Sequence, residues 1–145
     1  MSTVRLEQVA GTDASLKAAL ANAHLPTDDI EDDGRTFFKA IVADGRIVGF
    51  SGVELCGVDY LLRSVVVLSE HRGQSLGRAV VEQTLARLDR GDVFLATTNA
   101  APFFARIGFS EVPRDSVPAS VLATRQLSSI CPSSATIMKR TRPPT

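Results

Sequence analysis

Apolar and polar residues alternate along much of the first third of the chain. Residues 3–9 show the loose alternation of an edge strand. Thr12 or Asp13 then stands where a residue would cap a helix. The apolar face of that helix is formed by Leu16, Ala19, Leu20 and Ala23. The chain is therefore predicted to begin with a strand and a helix.

Two longer strand-like runs follow, at residues 36–43 and 46–56. They are joined by Asp44-Gly45, a pair typical of the turn of a β-hairpin. A third run covers residues 60–68 after another short turn. Strands joined by such short turns predict an antiparallel meander.

In the second half of the chain, the spacing of apolar residues becomes that of helices that alternate with buried strands. Apolar residues predict a helix over 76–88, ending at Arg90-Gly91. The remaining predicted elements are a buried strand over 92–98, a short helix over 100–106, an extended segment over 109–112, a helix near 117–125 and a last strand over 135–139. A crossover after hairpins implies an α/β (α+β) fold: a mixed, mostly antiparallel central sheet of six to seven strands with helices on both faces.

Residues 69–78, Ser-Glu-His-Arg-Gly-Gln-Ser-Leu-Gly-Arg, join the third meander strand to the next helix. A Gly-bearing turn at this place presents unpaired backbone N–H groups in one direction, and the helix start adds partial positive charge. Arg72 and Arg78 are placed to add further charge. The turn is therefore a candidate site for phosphate or pyrophosphate.

Composition narrows the class of protein. A length of 145 residues, 44% hydrophobic and 22% charged, fits a single globular domain over residues 1–145. Sixteen basic residues balance sixteen acidic ones, which argues against nucleic acid as a partner. No apolar run approaches the roughly 20 residues that span a membrane. Two distant cysteines, Cys56 and Cys131, without an export signal favour a cytoplasmic protein.

The order of elements and the turn resemble the GNAT acetyltransferase superfamily. The acetyl-CoA signature of that family is Arg or Gln, two residues, Gly, one residue, and Gly or Ala. The segment Arg72-Gly73-Gln74-Ser75-Leu76-Gly77 matches it at Arg72 and Gly77, with Ser75 at the first Gly position. Other similar segments are Val65-Val66-Val67-Leu68, Asn99 at the end of the next strand, and Phe103-Phe104-Ala105-Arg106-Ile107-Gly108-Phe109.

A closer resemblance is to the small acetyltransferases associated with arsenic-resistance operons. It is carried by Leu62-Arg63-Ser64, Ala96-Thr97-Thr98 and the Cys131-Pro132 pair within residues 128–135. Those proteins are in turn similar to the acetyltransferase domain of N-acetylglutamate synthases. Two distant cysteines are too few for a three-thiolate arsenical site within one chain.

The resemblance implies acetyl-CoA as co-substrate and no metal. Backbone groups of the turn and helix start would hold the pyrophosphate, and the preceding strand would pair with the pantetheine arm. The residues concerned are Arg72, Gly73, Gln74, Ser75, Leu76, Gly77 and Arg78 for the pyrophosphate, Val65, Val66 and Val67 for pantetheine, and Asn99 for the pantetheine amide. Two alternatives stay open: an ordinary αβ connection with a solvated Arg72, and Asn99 as the cap of the short helix.

The catalytic groups depart from the family pattern. Many members use a Tyr in the short helix to protonate the CoA sulfur, and Phe104 occupies that position here. Cys131 is a conceivable donor, although a lone Cys is more often a core residue. Glu54, within an otherwise apolar strand, is the candidate general base, and simple alternation would instead turn it to solvent.

Two arginines are candidate substrate ligands. Arg63 interrupts an apolar strand, so it either reaches the solvated face or recognises an anion. Its guanidinium would match the carboxylate of an amino-acid-like substrate. Arg125 in the C-terminal segment is the second candidate.

The leading hypothesis is an N-acetyltransferase acting on the primary amine of a small, amino-acid-like molecule, with a link to arsenic resistance implied by resemblance alone. The alternatives are acetylation of glutamate, as in N-acetylglutamate synthases, and a non-catalytic acetyl-CoA-binding module. A homodimer is expected because dimers are common for this fold.

Overall fold

The computed structural model describes residues 4–25, 27, 30–31, 34–68, 76–88, 91–98, 100–124 and 135–140. Within these residues the chain forms seven strands, four α-helices and one 3-10 turn. The elements are β1 (Val4–Val9), α1 (Ala14–Asn22), β2 (Arg35–Val42), β3 (Ile47–Cys56), β4 (Asp59–Val67), α2 (Leu76–Leu85), β5 (Val93–Thr97), α3 (Ala101–Ala105), β6 (Ser110–Glu111), the 3-10 turn (Arg114–Ser116), α4 (Ala119–Leu122) and β7 (Thr136–Arg140).

The strands form a sheet in the order β1-β2-β3-β4-β5-β7-β6. The β1–β2, β5–β7 and β6–β7 pairs are antiparallel. The β4–β5 pair is parallel, with Tyr60 opposite Val93 and Leu61 opposite Phe94, because the chain crosses over through α2 between these strands. The predicted mixed, mostly antiparallel sheet is confirmed.

Backbone contacts divide the chain into two compact units, and strands β3 and β4 contribute residues to both. The first unit comprises Met1–Val53 and Arg63–Asp89, and the second comprises Glu54–Leu62 and Arg90–Thr145. A single domain over residues 1–145 stays a prediction.

The core of the first unit packs α1 against its strands. Asp13 caps α1, since the backbone N–H of Leu16 donates to its Oδ1 at 2.9 Å, which decides between the two predicted caps. The buried members of this core are Leu16, Ala19, Leu20, Ile30, Phe37, Phe50 and Val66. Burial of the predicted apolar face therefore holds α1 in place.

The predicted hairpin turn between β2 and β3 is also confirmed. Gly45 has a φ of +88°, a backbone conformation that glycine adopts without strain. The Asp44 carboxylate accepts a hydrogen bond from the backbone N–H of Arg46 at 3.0 Å. These local contacts bring the two strands side by side.

Helix α2 ends at Leu85, three residues earlier than predicted. The backbone N–H groups of Arg87 and Leu88 donate to the carbonyl oxygens three residues before them, at 3.1 Å in both cases. The last turn is therefore tightened, as is common at helix ends.

The second unit has a core built on β5. Its buried members are Cys56, Leu61, Phe94, Val117, Val121 and Ile137. The helix predicted near 117–125 is shorter than expected, because α4 covers four residues after Pro118. Thr124 follows it and donates its side-chain hydroxyl to the carbonyl of Val121 at 2.8 Å, a bond that competes with continued helix. Among the described residues, no helix is long and apolar enough to cross a membrane.

Candidate active site

The strand that precedes the predicted phosphate turn is irregular at one residue. Ser64, in β4, has a φ of +58°. This left-handed conformation is uncommon for a residue with a Cβ atom, and inside a strand it interrupts the alternation of side chains as a β-bulge does. Arg63 and Val65 therefore flank a residue whose backbone departs from that of a regular strand.

The end of β4 lies very close to the backbone of β3. A Cβ atom added at Gly49 would stand 2.4 Å from the carbonyl oxygen of Val66. The backbone N–H of Leu68 donates to the carbonyl of Val48 at 2.8 Å. Backbone contacts therefore fix the position of the segment from Val65 to Val67, which was predicted to pair with pantetheine.

Helix α2 begins at Leu76, at the end of the predicted phosphate turn. Leu76 is buried, Gly77 is half-buried and Arg78 is exposed, and all three lie in its first turn. The first backbone N–H groups of a helix have no partner within it, so they can donate to an anion. Four predicted ligands, Arg72, Gly73, Gln74 and Ser75, lie outside the described residues.

Arg63 is buried, with 3% of its surface exposed, so its placement on a solvated face is wrong. Its Nε donates to the Oγ of Ser64 at 3.3 Å. Its guanidinium carbon lies 5.8 Å from the centroid of the Phe37 ring, within the range of a cation–π interaction. The structure therefore holds a cation inside the first unit, one residue before Ser64.

Glu54 belongs to the second unit and is 6% exposed. Of the two alternatives left open for this residue, the one that turns its side chain to solvent is wrong, because Leu55 lies on the exposed side of β3, with 58% of its surface accessible. Glu54 and Cys56 are two residues apart and share a face of the strand. Cys56 is part of the core, and its Sγ–H donates to the Glu54 carbonyl at 3.5 Å.

The short helix α3 carries a cluster of aromatic rings. Phe104 is buried and meets Phe103 and Phe109 edge to face, with centroids 5.0 Å and 5.7 Å away. These are favourable geometries for aromatic pairs. The position that resembles the catalytic Tyr of the family is thus filled by an apolar core residue.

The N-cap of α3 is Ala100, whose backbone N–H donates to the Oγ1 of Thr97 at 3.0 Å. The alternative role of Asn99 as the helix cap is therefore wrong. Asn99 itself lies outside the described residues, as do the predicted substrate ligand Arg125 and the candidate proton donor Cys131.

Sequence reasoning missed the close approach at Gly49 and the conformation of Ser64. An isolated Gly inside a strand pattern is a known sign of close backbone approach, so Gly49 could have been found. Ser64 carried no such signal, because Asn, Asp and His are the residues enriched at positive φ.

Comparison with known proteins decides the family. The sequence profile of the acetyltransferase (GNAT) domain matches residues 33–111. An uncharacterized N-acetyltransferase of Chlorobaculum tepidum is 31% identical over 121 residues, which are 79% of this chain and 71% of that protein. The chain belongs to the GNAT acetyltransferase family. It is accordingly an acetyl-CoA-dependent acetyltransferase.

Solved structures show the same fold. The N-acetylglutamate synthase of Neisseria gonorrhoeae, in complex with coenzyme A and N-acetyl-glutamate, has a TM-score of 0.73 at 13% identity over 97% of this chain and 35% of that chain. The Rv2747 protein of Mycobacterium tuberculosis, in complex with CoA, has a TM-score of 0.70 at 19% identity over 95% of this chain and 99% of that one. At these identities the GNAT fold alone is shared.

Proposed function

We propose that this GNAT acetyltransferase transfers acetyl from acetyl-CoA to the primary amine of a small, amino-acid-like molecule. The observation that carries the proposal is the buried guanidinium of Arg63, held beside Ser64 and the Phe37 ring. Arg presents a rigid fork of N–H donors that fits a carboxylate, and the Coulomb attraction between a cation and an anion is stronger away from water than in solvent. The N-acetyl-glutamate bound to the Neisseria gonorrhoeae protein is compatible with this substrate class.

Most of the residues proposed to hold the donor belong to the first unit. Backbone N–H groups of Gly73 to Arg78 would bind the pyrophosphate, with Arg72 adding charge, and backbone groups of Val65, Val66 and Val67 would pair with pantetheine. The close backbone contact at Gly49 supports this assignment, since it fixes β4 where a ligand would pair with it. Asn99 is proposed to bond the pantetheine amide, and no metal is invoked.

Acetyl-CoA supplies an acetyl group activated as a thioester. The acceptor amine must reach it without its extra proton, so a base is required. We assign this role to Glu54, a carboxylate on β3 that is 6% exposed, because carboxylates are among the side chains that serve as general bases. Phe104 has no proton to give, so the leaving thiolate takes its proton from Cys131 or departs without dedicated help.

The assay is release of CoA thiol across a panel of free amino acids, aminophosphonates and arsenic-containing amino acids. Turnover of glutamate alone would favour an N-acetylglutamate-synthase-like activity, and turnover of the arsenic-containing compounds would support the link to arsenic resistance. Tight binding of acetyl-CoA without turnover of any amine would contradict the proposal and leave a binding module.

Arg63 is tested with the amine that the screen identifies. Arg63→Met removes a charge-assisted interaction of about 1.5–3 kcal/mol, so kcat/KM for the carboxylate substrate should fall roughly 10- to 100-fold. The matching amine without a carboxylate is the control and should keep its kcat/KM. Equal losses for both amines would sink the assignment. Arg125→Met tests the second candidate substrate ligand, Arg125, with the same pair of amines.

Glu54→Gln keeps the shape of the side chain and removes the base. Loss of a positioned general base costs about 10²- to 10⁴-fold in rate. Binding of acetyl-CoA, measured by calorimetry, should be unchanged in this variant. Full activity of Glu54→Gln would show that a group other than Glu54 is the base.

A cytoplasmic homodimer completes the proposal. The small number of cysteines supports the location. Light scattering during gel filtration measures the mass in solution, and a mass of 15.5 kDa would exclude the dimer.

A further inference from the structure

Two hydroxyl groups meet inside the first unit. Ser51 lies on β3 and Thr84 lies on α2, and both residues are fully buried at 0% exposure. Their side-chain oxygens are 2.6 Å apart, a short hydrogen bond. This Ser51–Thr84 pair joins the sheet to the helix that begins at the phosphate turn.

The direction of this bond follows from the partners of Thr84. A hydroxyl has one proton to donate, and the Thr84 Oγ1 donates it to the carbonyl of Val80 at 2.7 Å. Thr84 must therefore accept from Ser51. The result is a relay from the Ser51 hydroxyl through the Thr84 hydroxyl to the Val80 carbonyl, with each proton assigned.

The other buried residues of α2 make contacts that do not depend on direction. Leu76, Val80, Val81 and Leu85 are apolar. Burial of apolar side chains holds a helix against a sheet, but its free energy depends only weakly on the position of the helix along its axis and on its rotation about that axis. A hydrogen bond between two buried hydroxyls is restricted in both distance and angle. The Ser51–Thr84 pair therefore specifies where α2 lies along β3.

A fixed helix carries its first turn with it. Thr84 is eight residues after Leu76, about 12 Å along the helix axis at 1.5 Å per residue. A slide or rotation of α2 at Thr84 therefore moves the backbone N–H groups of Leu76, Gly77 and Arg78 by a similar amount. These are the donors assigned to the pyrophosphate of acetyl-CoA.

We propose that Ser51 and Thr84 are positioning residues for the pyrophosphate of acetyl-CoA, because their hydrogen bond sets the place of α2 on β3. The proposal rests on the proposed function of the turn and deepens it. Neither side chain touches the donor; both act through the helix.

The central variant is the double substitution Ser51→Ala with Thr84→Val. It replaces both partners of the bond by apolar groups of similar shape, a change that can be nearly neutral for folding. We expect the Kd of acetyl-CoA to rise about tenfold, since misplacement of a binding group by up to 1 Å costs as much as 100-fold. The Kd of S-acetylpantetheine, which lacks the pyrophosphate, should stay within about twofold of wild type.

Two controls separate positioning from stability. Thr84→Ser retains the hydroxyl and should bind acetyl-CoA as the wild type does. Val81→Ala leaves a cavity under the same helix, so it should lower the unfolding midpoint while the ratio of the two Kd values stays unchanged. If the double variant does not fold, Ser51→Ala alone provides the comparison, because Thr84 then keeps its bond to Val80.

The outcomes are distinguishable. A double variant that binds acetyl-CoA like the wild type, or that loses both ligands equally, overturns the positioning role while the wild-type affinities leave the proposed function intact. A wild type that binds acetyl-CoA no more tightly than S-acetylpantetheine overturns the pyrophosphate site itself, and this proposal with it.

Discussion

Gly49 offers the sharpest test of how β4 is held for binding. In Gly49→Ala the new Cβ atom would lie 2.4 Å from the Val66 carbonyl oxygen, about 1 Å inside the 3.4 Å at which ordinary contact begins. Neither atom belongs to a flexible side chain, so a strand backbone must move. The movement falls on the segment proposed to pair with pantetheine.

The expected size of the effect follows from this overlap. Overpacking of a well-packed core costs about 1–3 kcal/mol, which lowers the midpoint of thermal unfolding by roughly 2–12 °C in a protein of this length. A displacement near 1 Å at a binding segment costs up to about 100-fold in function. Gly49→Ala should therefore raise the Kd of acetyl-CoA, measured by calorimetry, by roughly 10- to 100-fold.

Gly52→Ala is the matched control on the same strand. Its Cβ atom would lie 2.6 Å from the side-chain ring of Phe37, away from the β4 backbone. It should lower the unfolding midpoint to a similar extent and leave the affinity for acetyl-CoA within about twofold. Wild-type affinity in Gly49→Ala, or equal loss in both variants, would refute the reasoning.

Two predictions concern local structure in the first unit. Asp13→Ala removes the cap of α1 and should lower the free energy of unfolding by about 1 kcal/mol in urea titration, whereas Asp13→Asn, which can still accept the bond from Leu16, should lose less. At the hairpin turn, the backbone N–H of Arg46 lowers the pKa of Asp44 below its ordinary value. The folded state thus binds this proton less readily than the unfolded state, so Asp44 stabilises the protein above the unfolded pKa, and the stabilisation is lost as the pH falls through the lowered folded pKa. In Asp44→Asn the free energy of unfolding should therefore fall less steeply at acidic pH than it does in the wild type. An unchanged dependence on pH in this range would contradict the account.

The parts of the fold that sequence predicted are those with local causes. Asp13 caps the helix that follows it, and Gly45 adopts the positive φ that its turn needs. Both signals act over a few residues, so they are readable without knowledge of the rest of the chain. The same holds for strand β4 and for the start of α2 at Leu76.

The sequence left open whether the side chain of Glu54 is buried or exposed, because its burial has a distant cause. Glu54 shares its strand face with Cys56, and Cys56 packs against Val117 and Val121, more than 60 residues later. That segment covers the face, and Leu55 on the opposite face is left exposed. Alternation within β3 gives the two faces but cannot say which of them a remote segment will cover.

The distinction between local and distant causes also applies to the two substrates: the identity of the donor, acetyl-CoA, is established, whereas the acceptor is a proposal. Backbone N–H groups of a turn and a helix start bind phosphate whatever their side chains, so the element order and the family suffice for acetyl-CoA. Recognition of the acceptor is proposed to depend on the side chain of Arg63, whose burial beside Phe37 arises from packing between separate strands. Members of a family share backbone geometry more widely than they share such side-chain contacts. The contact between Arg63 and the acceptor is therefore tested directly by comparing an amine that carries a carboxylate with the same amine without it.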